Sequence, residues 1–527
     1  MNQDYEIARE KIILLEKGKK GILRILFGRT TIVVFLLLIQ IFLLFICFGY
    51  LNRYSVYIFG AYTVLGYIVV IYILNRRGEP AFQLTWIVIV MILPVFGVLL
   101  YVFVKTQIGT RLLNRRIKEL EKRTRDYSRQ DERVYQQIKE KNRGVANLTS
   151  YILKRAGFPV YENTIVKYFS IGEKMLEAML KELEKANNFI FLEYFIVEEG
   201  YMWGRILEVL LRKVKEGVEV RFMYDGLCSL AILPYNYPKK IEKLGIRCKM
   251  FSPIKPALST HQNNRDHRKI LVIDGHTAFT GGMNLADEYI NKKIRFGHWK
   301  DTGIMLKGDG VRSFTLMFLQ MWNINEKEED YSKYLDVELP IYKEASGYVM
   351  PYGDSPLDEE IVGELVYMDI INRAEEYVHI MTPYLILDYE LITALTFAAK
   401  KGVEVIIIMP FIPDKRAAFI LAKTYYKELI EAGVRIFQYI PGFVHAKVFT
   451  SDGDKAVVGT INLDFRSLHL HFECATYLYK VEEIKKIEED MEETLKKCKE
   501  VTLADCKNEK LPIKIVGSIL RLFAPLM

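Results

Sequence analysis

The chain has 527 residues, half of them apolar, with 73 Lys and Arg against 65 Asp and Glu. That length and apolar content exclude a disordered or fibrous chain and allow two or three domains with sizeable cores. The net charge of +8 is concentrated, with 13 Lys and Arg against 6 acids in residues 105–150. A surplus gathered beside apolar segments fits an anionic membrane surface better than a nucleic-acid groove, so no nucleic-acid partner is expected.

Residues 1–30 form a basic segment with 7 Lys and Arg against 4 acids. Three stretches without a charged residue follow, 31–51, 54–74 and 84–104. Each has 21 residues, enough to cross about 30 Å of hydrocarbon at about 1.5 Å per residue. They predict a transmembrane region over 31–104. Pro94 and Gly97 predict a kink in the third segment, and Trp86 and Tyr101 suit its interfaces. Basic residues on both flanks of this region want the cytoplasm, which three full crossings cannot satisfy. The expectation is a cell-membrane protein with a cytoplasm-facing catalytic part and one non-spanning or hairpin segment. Residues 105–154 are expected to be a basic juxtamembrane linker.

Beyond 150 the chain alternates β-rich runs with charged helical stretches, the pattern of an α/β fold. It also repeats itself. KEGVEVRFMYDG (215–226) parallels KKGVEVIIIMPFI (400–412), and ANNFIFLEYFI (186–196) parallels AEEYVHIMTPYLI (374–386). Two homologous lobes follow, 155–335 and 336–500, with an amphipathic tail over 501–527. The tail suits an interfacial helix or a helix packed on the lobes. The six cysteines show no close pairing, so free thiols are expected.

The pattern His-x-Lys-(x)4-Asp occurs twice, as His267, Lys269, Asp274 and as His445, Lys447, Asp452. In HRKILVIDGHTAFTGGMN (267–284) an apolar run leads into Asp274-Gly275, a hairpin signal. His267 and Lys269 share one face of the strand. Asp274 lies roughly 23 Å further along at about 3.3 Å per residue, so it reads as a turn residue. With the turn centred on 274–275, Gly282 falls opposite His267 and Asn284 opposite Arg265. HAKVFTSDGDKAVVGTIN (445–462) predicts the same hairpin, with Gly459, Thr460 and Asn462 beside His445. Two histidines can divide nucleophile and general acid between them. Two lysines and two asparagines can hold phosphate oxygens. The set calls for no metal or cofactor.

These residues resemble the phospholipase D superfamily, specifically bacterial cardiolipin synthases. The resemblance covers nearly the whole chain: NRRGEPAFQLTWIVIVMILPVFGVLLYVF (75–103), RDHRKILVIDG and TGGMNLADEY (within 265–289), GHWKDTGIMLKGDGV (297–311), HAKVF and VVGTINLDFRS (within 445–467). Ser451 and Cys228 depart from the family's expected apolar residue and glycine, and segment 31–51 looks like an addition. The resemblance implies a pseudo-twofold bilobal α/β/α fold with the site between the lobes. It implies phosphatidyl transfer between two phosphatidylglycerols, with His267 attacking and His445 protonating the leaving glycerol; this assignment is carried over by analogy. It implies an acid from the opposite lobe for each histidine, at Glu473 for His267 and Asp301 for His445. A hydrolytic phospholipase D, or a phosphatidyltransferase with another acceptor, shares all these motifs. A membrane-tethered nuclease and an inactive scaffold fit less well. Oligomeric state is not legible.

Overall fold

The computed structural model describes residues 54–526, apart from 77, 106–107, 229–231, 254–263, 327–328 and 359, together with 38, 39, 41, 42 and 46. Segment 1–30 and most of segment 31–51 therefore lie outside the described residues.

Two sheets of one design carry the chain. The first is built from β1 (Thr164–Phe169), β2 (Phe189–Tyr194), β3 (Glu219–Asp225), β4 (Arg247–Phe251), β6 (Lys269–Ile273), β7 (Thr277–Gly281) and β9 (Gly303–Gly308). Its order is β1-β9-β7-β6-β2-β3-β4. The second uses β10 (Tyr348–Asp354), β11 (Tyr377–Met381), β12 (Glu404–Pro410), β13 (Arg435–Tyr439), β15 (Val448–Ser451), β16 (Lys455–Gly459), β17 (His471–Tyr479) and β18 (Cys498–Glu500). Its order is β10-β17-β16-β15-β11-β12-β13-β18. Position for position the two orders match, with β18 as an extra edge. The repeated segments found in the sequence occupy equivalent places: 189–194 and 377–381 are β2 and β11, while 219–225 and 404–410 are β3 and β12.

The parallel strands β2, β3 and β12 are buried along almost their whole length. Parallel strands read this way because crossover helices cover the faces of the sheet. The helices Tyr201–Lys215 and Tyr389–Lys400 make such crossovers. The largest apolar cluster runs from Phe191 and Val272 of the first sheet, through the helix Val311–Trp322, to Val378 and Phe449 of the second. One core thus joins the two lobes.

Three short strands cross between lobes. β5 (Arg265–Asp266) belongs to the first lobe but pairs with β17, Arg265 against His471 and Asp266 against Phe472. β14 (Gly442–Val444) of the second lobe pairs with β8 (His298–Lys300) of the first, Val444 against Lys300. β5 and β14 each lead directly into a motif histidine, and β8 leads into Asp301. The backbone N–H of His267 donates to Phe472 O at 2.9 Å, and that of His445 to Lys300 O at 2.7 Å.

In the N-terminal part the kink expected at Pro94 and Gly97 is a reversal of the chain. α1 (Ser55–Leu74) is one uncharged 20-residue helix. Segment 84–104 is instead divided between α2 (Pro80–Ile92) and α3 (Pro94–Lys105). Pro94 offers no N–H and drives the preceding residue out of helical geometry, and Leu93 sits at φ −129°, ψ 73°. The chain then turns back on itself. A Cβ on Gly97 would meet Val90 Cα at 2.7 Å, so only glycine permits the contact. Trp86 and Tyr101 pack edge-on at 5.3 Å inside this hairpin. Among the described residues no helix is long and apolar enough to cross a membrane.

Residues 105–154, expected as a linker, are largely three helices, Ile108–Thr124, Glu132–Lys141 and Arg143–Ala156. Val134, Ile138, Val145 and Ile152 are buried in the common core, because the apolar residues among the basic ones recur at helical spacing. The tail forms helices Leu503–Asn508 and Leu511–Leu522. Gly517 lies against Thr424 of the helix Arg416–Glu431, while Leu511, Ile515, Val516 and Ile519 face outward. Cys228, Cys248, Cys474, Cys498 and Cys506 are free thiols.

Candidate active site

Each motif is a strand, a tight turn and a returning strand. Asp274 and Gly275 hold φ of 51° and 69°, Asp452 and Gly453 52° and 67°. Paired left-handed residues make the turn that matches strand twist, and Asp-Gly tolerates it. The Asp274 carboxylate accepts from the backbone N–H groups of Asn187, Asn188 and Phe189 at 2.7–2.8 Å. Asp452 accepts from Glu375, Glu376 and Tyr377 at 3.0–3.3 Å. Both aspartates fasten the far end of the hairpin to the neighbouring strand, away from the histidines.

The return differs by one residue from the sequence reading. His276 is a third loop residue, so Ile273 pairs with Thr277 and Leu271 with Phe279. That register brings Gly282 level with Arg268, not His267. Gly282 then leaves the ladder and packs on the other lobe's histidine: a Cβ there would meet Asp301 Oδ1 at 2.1 Å and His445 O at 2.7 Å. Asn284 is placed on the same side. Its Oδ1 accepts from Ile196 N at 2.9 Å and its Nδ2 donates to Tyr289 Oη at 2.8 Å, and the Tyr289 ring stands edge-on to His445 at 5.3 Å. In the second lobe, Gly459 N donates to Lys447 O at 3.3 Å. Thr460 Oγ1 bonds the Glu473 carboxylate, which holds His267. Asn462 Nδ2 donates to Ser467 Oγ at 3.0 Å. The returning strands therefore serve the opposite lobe's histidine.

Both histidines meet a buried acid across the lobe boundary. His267 Nδ1 lies 2.8 and 3.0 Å from the two oxygens of Glu473. His445 Nδ1 lies 2.7 Å from Asp301 Oδ2. Glu473 and Asp301 are both 0% exposed. Asp301 is fixed in turn by Thr302 N at 2.9 Å. With Nδ1 engaged, each imidazole has Nε2 left for chemistry. Lys269 and Lys447 are buried, and each Nζ donates to the carbonyl of its own motif histidine.

Sequence reasoning missed the aromatic walls and a third imidazole. Phe195 stands edge-on to His267 at 4.8 Å, and Trp299 lies 5.4 Å from His445. His471 is buried 5.5 Å from the His267 ring, with neither nitrogen hydrogen-bonded. Its signal was available, since residues 471 and 473 share a strand face. His267, His471 and Glu473 come near enough to hold one ion, but the Glu473–His267 bond already occupies two of those groups.

Burial dominates the electrostatics. It holds His267 well below the usual imidazole value, reinforced by Lys269, His471, Lys447 and His445. It lowers His445 to about 4, with Lys447 adding to the effect. It lowers Lys269 to about 8 and Lys447 to about 7, and raises Glu473 to about 8 against the pull of Lys269. Such mutual influence requires the two motifs to share one pocket. Two buried ammonium groups beside neutral imidazoles suit an anionic ligand, which would restore their ordinary charge.

Fold and site together make a two-lobed centre to which each lobe gives one imidazole and one lysine. Its fold is that of a crystal structure of phosphatidylserine synthase from Haemophilus influenzae Rd KW20, at TM-score 0.55 and 14% identity over 73% of this chain and 98% of that one. The family model described as cardiolipin synthase, PLD-like domain, matches residues 367–495. A cardiolipin synthase of Geobacillus sp. (strain WCH70) is 35% identical over 86% of this chain and 90% of its own length. One from Alkalihalophilus pseudofirmus is 32% identical over 92% and 97%. An uncharacterized protein of Streptococcus mutans is 52% identical over 87% and 99%. The chain belongs to the cardiolipin synthase family, phosphatidyltransferases of the phospholipase D superfamily.

Proposed function

We propose that the chain joins two phosphatidylglycerols into cardiolipin and glycerol through a phosphatidyl-histidine intermediate. The observation that carries this reading is the crossed pair of His–acid contacts, His267–Glu473 and His445–Asp301, around two buried lysines. His267 Nε2 attacks the phosphorus of the first phosphatidylglycerol, and the bond from phosphorus to the glycerol headgroup breaks. His445 gives its Nε2 proton to the departing oxygen. Glycerol leaves, and the terminal hydroxyl of a second phosphatidylglycerol takes its place. His445 now accepts the hydroxyl proton, the new P–O bond forms, and the P–N bond to His267 breaks.

The general-acid role requires a protonated His445, which the bare pocket disfavours. The phosphodiester brings the missing negative charge and raises the imidazole's affinity for a proton. Lys269 and Lys447 balance the non-bridging oxygens, and the amides of Asn284 and Asn462 are the candidate neutral donors. Gly282 and Thr460 support the opposite lobe's His–acid pair.

The substrate lies in a bilayer, and the protein's apolar surface is placed to meet one. Val56, Tyr57, Ile68 and Ile71 of α1 are exposed, as are Leu84, Met91 and Ile92 of α2 and Leu511, Ile515 and Ile519 of the tail helix. We assign these helices to the cell membrane, with the exposed apolar faces of α1, α2 and the tail helix turned to lipid. The basic helices from residue 108 onward then face anionic lipid on the cytoplasmic side, beside lobes 155–335 and 336–500.

Incubation of the purified full chain with headgroup-labelled phosphatidylglycerol tests the reaction. Cardiolipin with an equal amount of free glycerol supports it. Phosphatidic acid as the main product assigns a hydrolase instead.

A further inference from the structure

A second group of ligand-type side chains lies outside the catalytic pocket, and the reaction makes no use of it. Glu364 stands in the helix Val362–Arg373, Asp388 is the N-cap of the helix Tyr389–Lys400, and His469 ends the helix Phe465–His469. His469 Nε2 is 3.6 Å from Glu364 Oε2 and 3.8 Å from Asp388 Oδ2. One ligand atom from each of the three residues lies within 4.8 Å of the other two. Glu364 is 1% exposed and Asp388 3%. The three converging atoms, Glu364 Oε2, Asp388 Oδ2 and His469 Nε2, are buried and have no hydrogen-bond partner. Buried polar atoms are ordinarily paired, so three orphans aimed at one point require an explanation.

Asp388 and His469 are held in place by other contacts. Asp388 uses its other oxygen to cap its helix, accepting from Leu391 N at 2.8 Å. The His469 ring is held edge-on to Phe82 at 5.9 Å and packed on Phe465 at 5.5 Å. One imidazole and two carboxylates form a donor set suited to zinc. Bonds of about 2.0–2.2 Å put tetrahedral donors roughly 3.4 Å apart, close to the separations seen. We propose that Glu364, Asp388 and His469 bind a divalent transition-metal ion of the zinc class.

The place of this site in the fold gives the ion a structural role. Phe82 and Glu79 belong to the N-terminal hairpin, and Glu79 at the N-cap of α2 interacts electrostatically with His469 and Asp388. The ion would join three helices of the second lobe where Phe82 of α2 packs on His469, four residues before Glu473.

The full-length protein in detergent is stripped with a chelator, dialysed against zinc, desalted and assayed for metal. Wild type should retain one zinc and gain thermal stability from it. H469N and D388N should each lose affinity by more than the roughly 10- to 100-fold that an outer-shell change costs. If either variant fails to fold, E364Q, which keeps the shape of the side chain, supplies the same comparison. Wild type that retains no zinc, or variants that retain it as wild type does, overturns the proposal. So does zinc lost only on H471N, which assigns the ion to the catalytic pocket. Metal content is read apart from turnover, so failure here leaves the proposed reaction untouched.

Discussion

Glu473, on β17 of the second lobe, holds Nδ1 of His267 in the first with both carboxylate oxygens, at 2.8 and 3.0 Å. The contact fixes the ring's tautomer and leaves Nε2 as its reactive atom. Glu473→Gln keeps the size but not the acceptor pair. It should lower kcat by about 10²- to 10⁴-fold, with KM for phosphatidylglycerol nearly unchanged. A large rise in KM at constant kcat would show that Glu473 acts on binding and not on the imidazole.

Removing either imidazole should stop the reaction at a different step. H267A should form no covalent adduct and no cardiolipin. H445N should form the phosphatidyl-histidine slowly and fail to resolve it. Acid-free quenching followed by peptide mapping should place the lipid on the peptide bearing His267. An adduct on His445 in the H267A protein would reverse the roles.

The motif aspartates should behave as stability residues. Asp274→Ala removes three charge-assisted bonds to Asn187, Asn188 and Phe189, a loss of roughly 2–4 kcal/mol. Asp452→Ala should cost less, since its bonds are longer and the side chain more exposed. The thermal midpoint should fall while kcat per folded molecule holds. A variant of full stability with no turnover would return these acids to the chemistry.

Acid should destabilise the fold through its neutral imidazoles. His445 falls to about 4, and His267 and His471 lie well below 6.5. Below about pH 6.5 the unfolded chain takes up protons that the folded chain refuses. The contribution is fully present above that pH and is lost as pH drops toward the folded value. Between pH 7 and pH 5 the thermal midpoint of H445N should therefore drop less than that of wild type. Equal drops would mean that His445 titrates normally.

The chemistry was legible because it sits in short local patterns. His-x-Lys places two side chains on one strand face, and Asp-Gly sets the turn, so both hairpins follow from sequence alone. The repeat supplied the two lobes. What the pattern could not supply was long-range register. One additional loop residue, His276, moves Gly282 from His267 to the Asp301–His445 contact. His471 was passed over although it shares a strand face with Glu473, because it lies outside the paired His-x-Lys pattern. Pro94 and Gly97 marked a kink in the 21-residue segment 84–104, but the extent of the reversal depends on the close approach of Gly97 to Val90, which hydropathy does not register. The helices of 108–156 looked like linker because their basic residues outnumber the apolar stripe that packs them.

The exchange of short strands between lobes, β5 onto β17 and β14 onto β8, has a consequence for ancestry. Each half of the chain holds one histidine together with the acid that orients the other's. A protein of a single repeat's length would possess both parts and be able to join neither, except by pairing with a copy of itself. The two halves are thus joined as two copies of one unit would be, yet they differ: one histidine is flanked by phenylalanine and imidazole, the other by tyrosine and tryptophan. Two separately expressed halves should each be inert and recover turnover only when mixed.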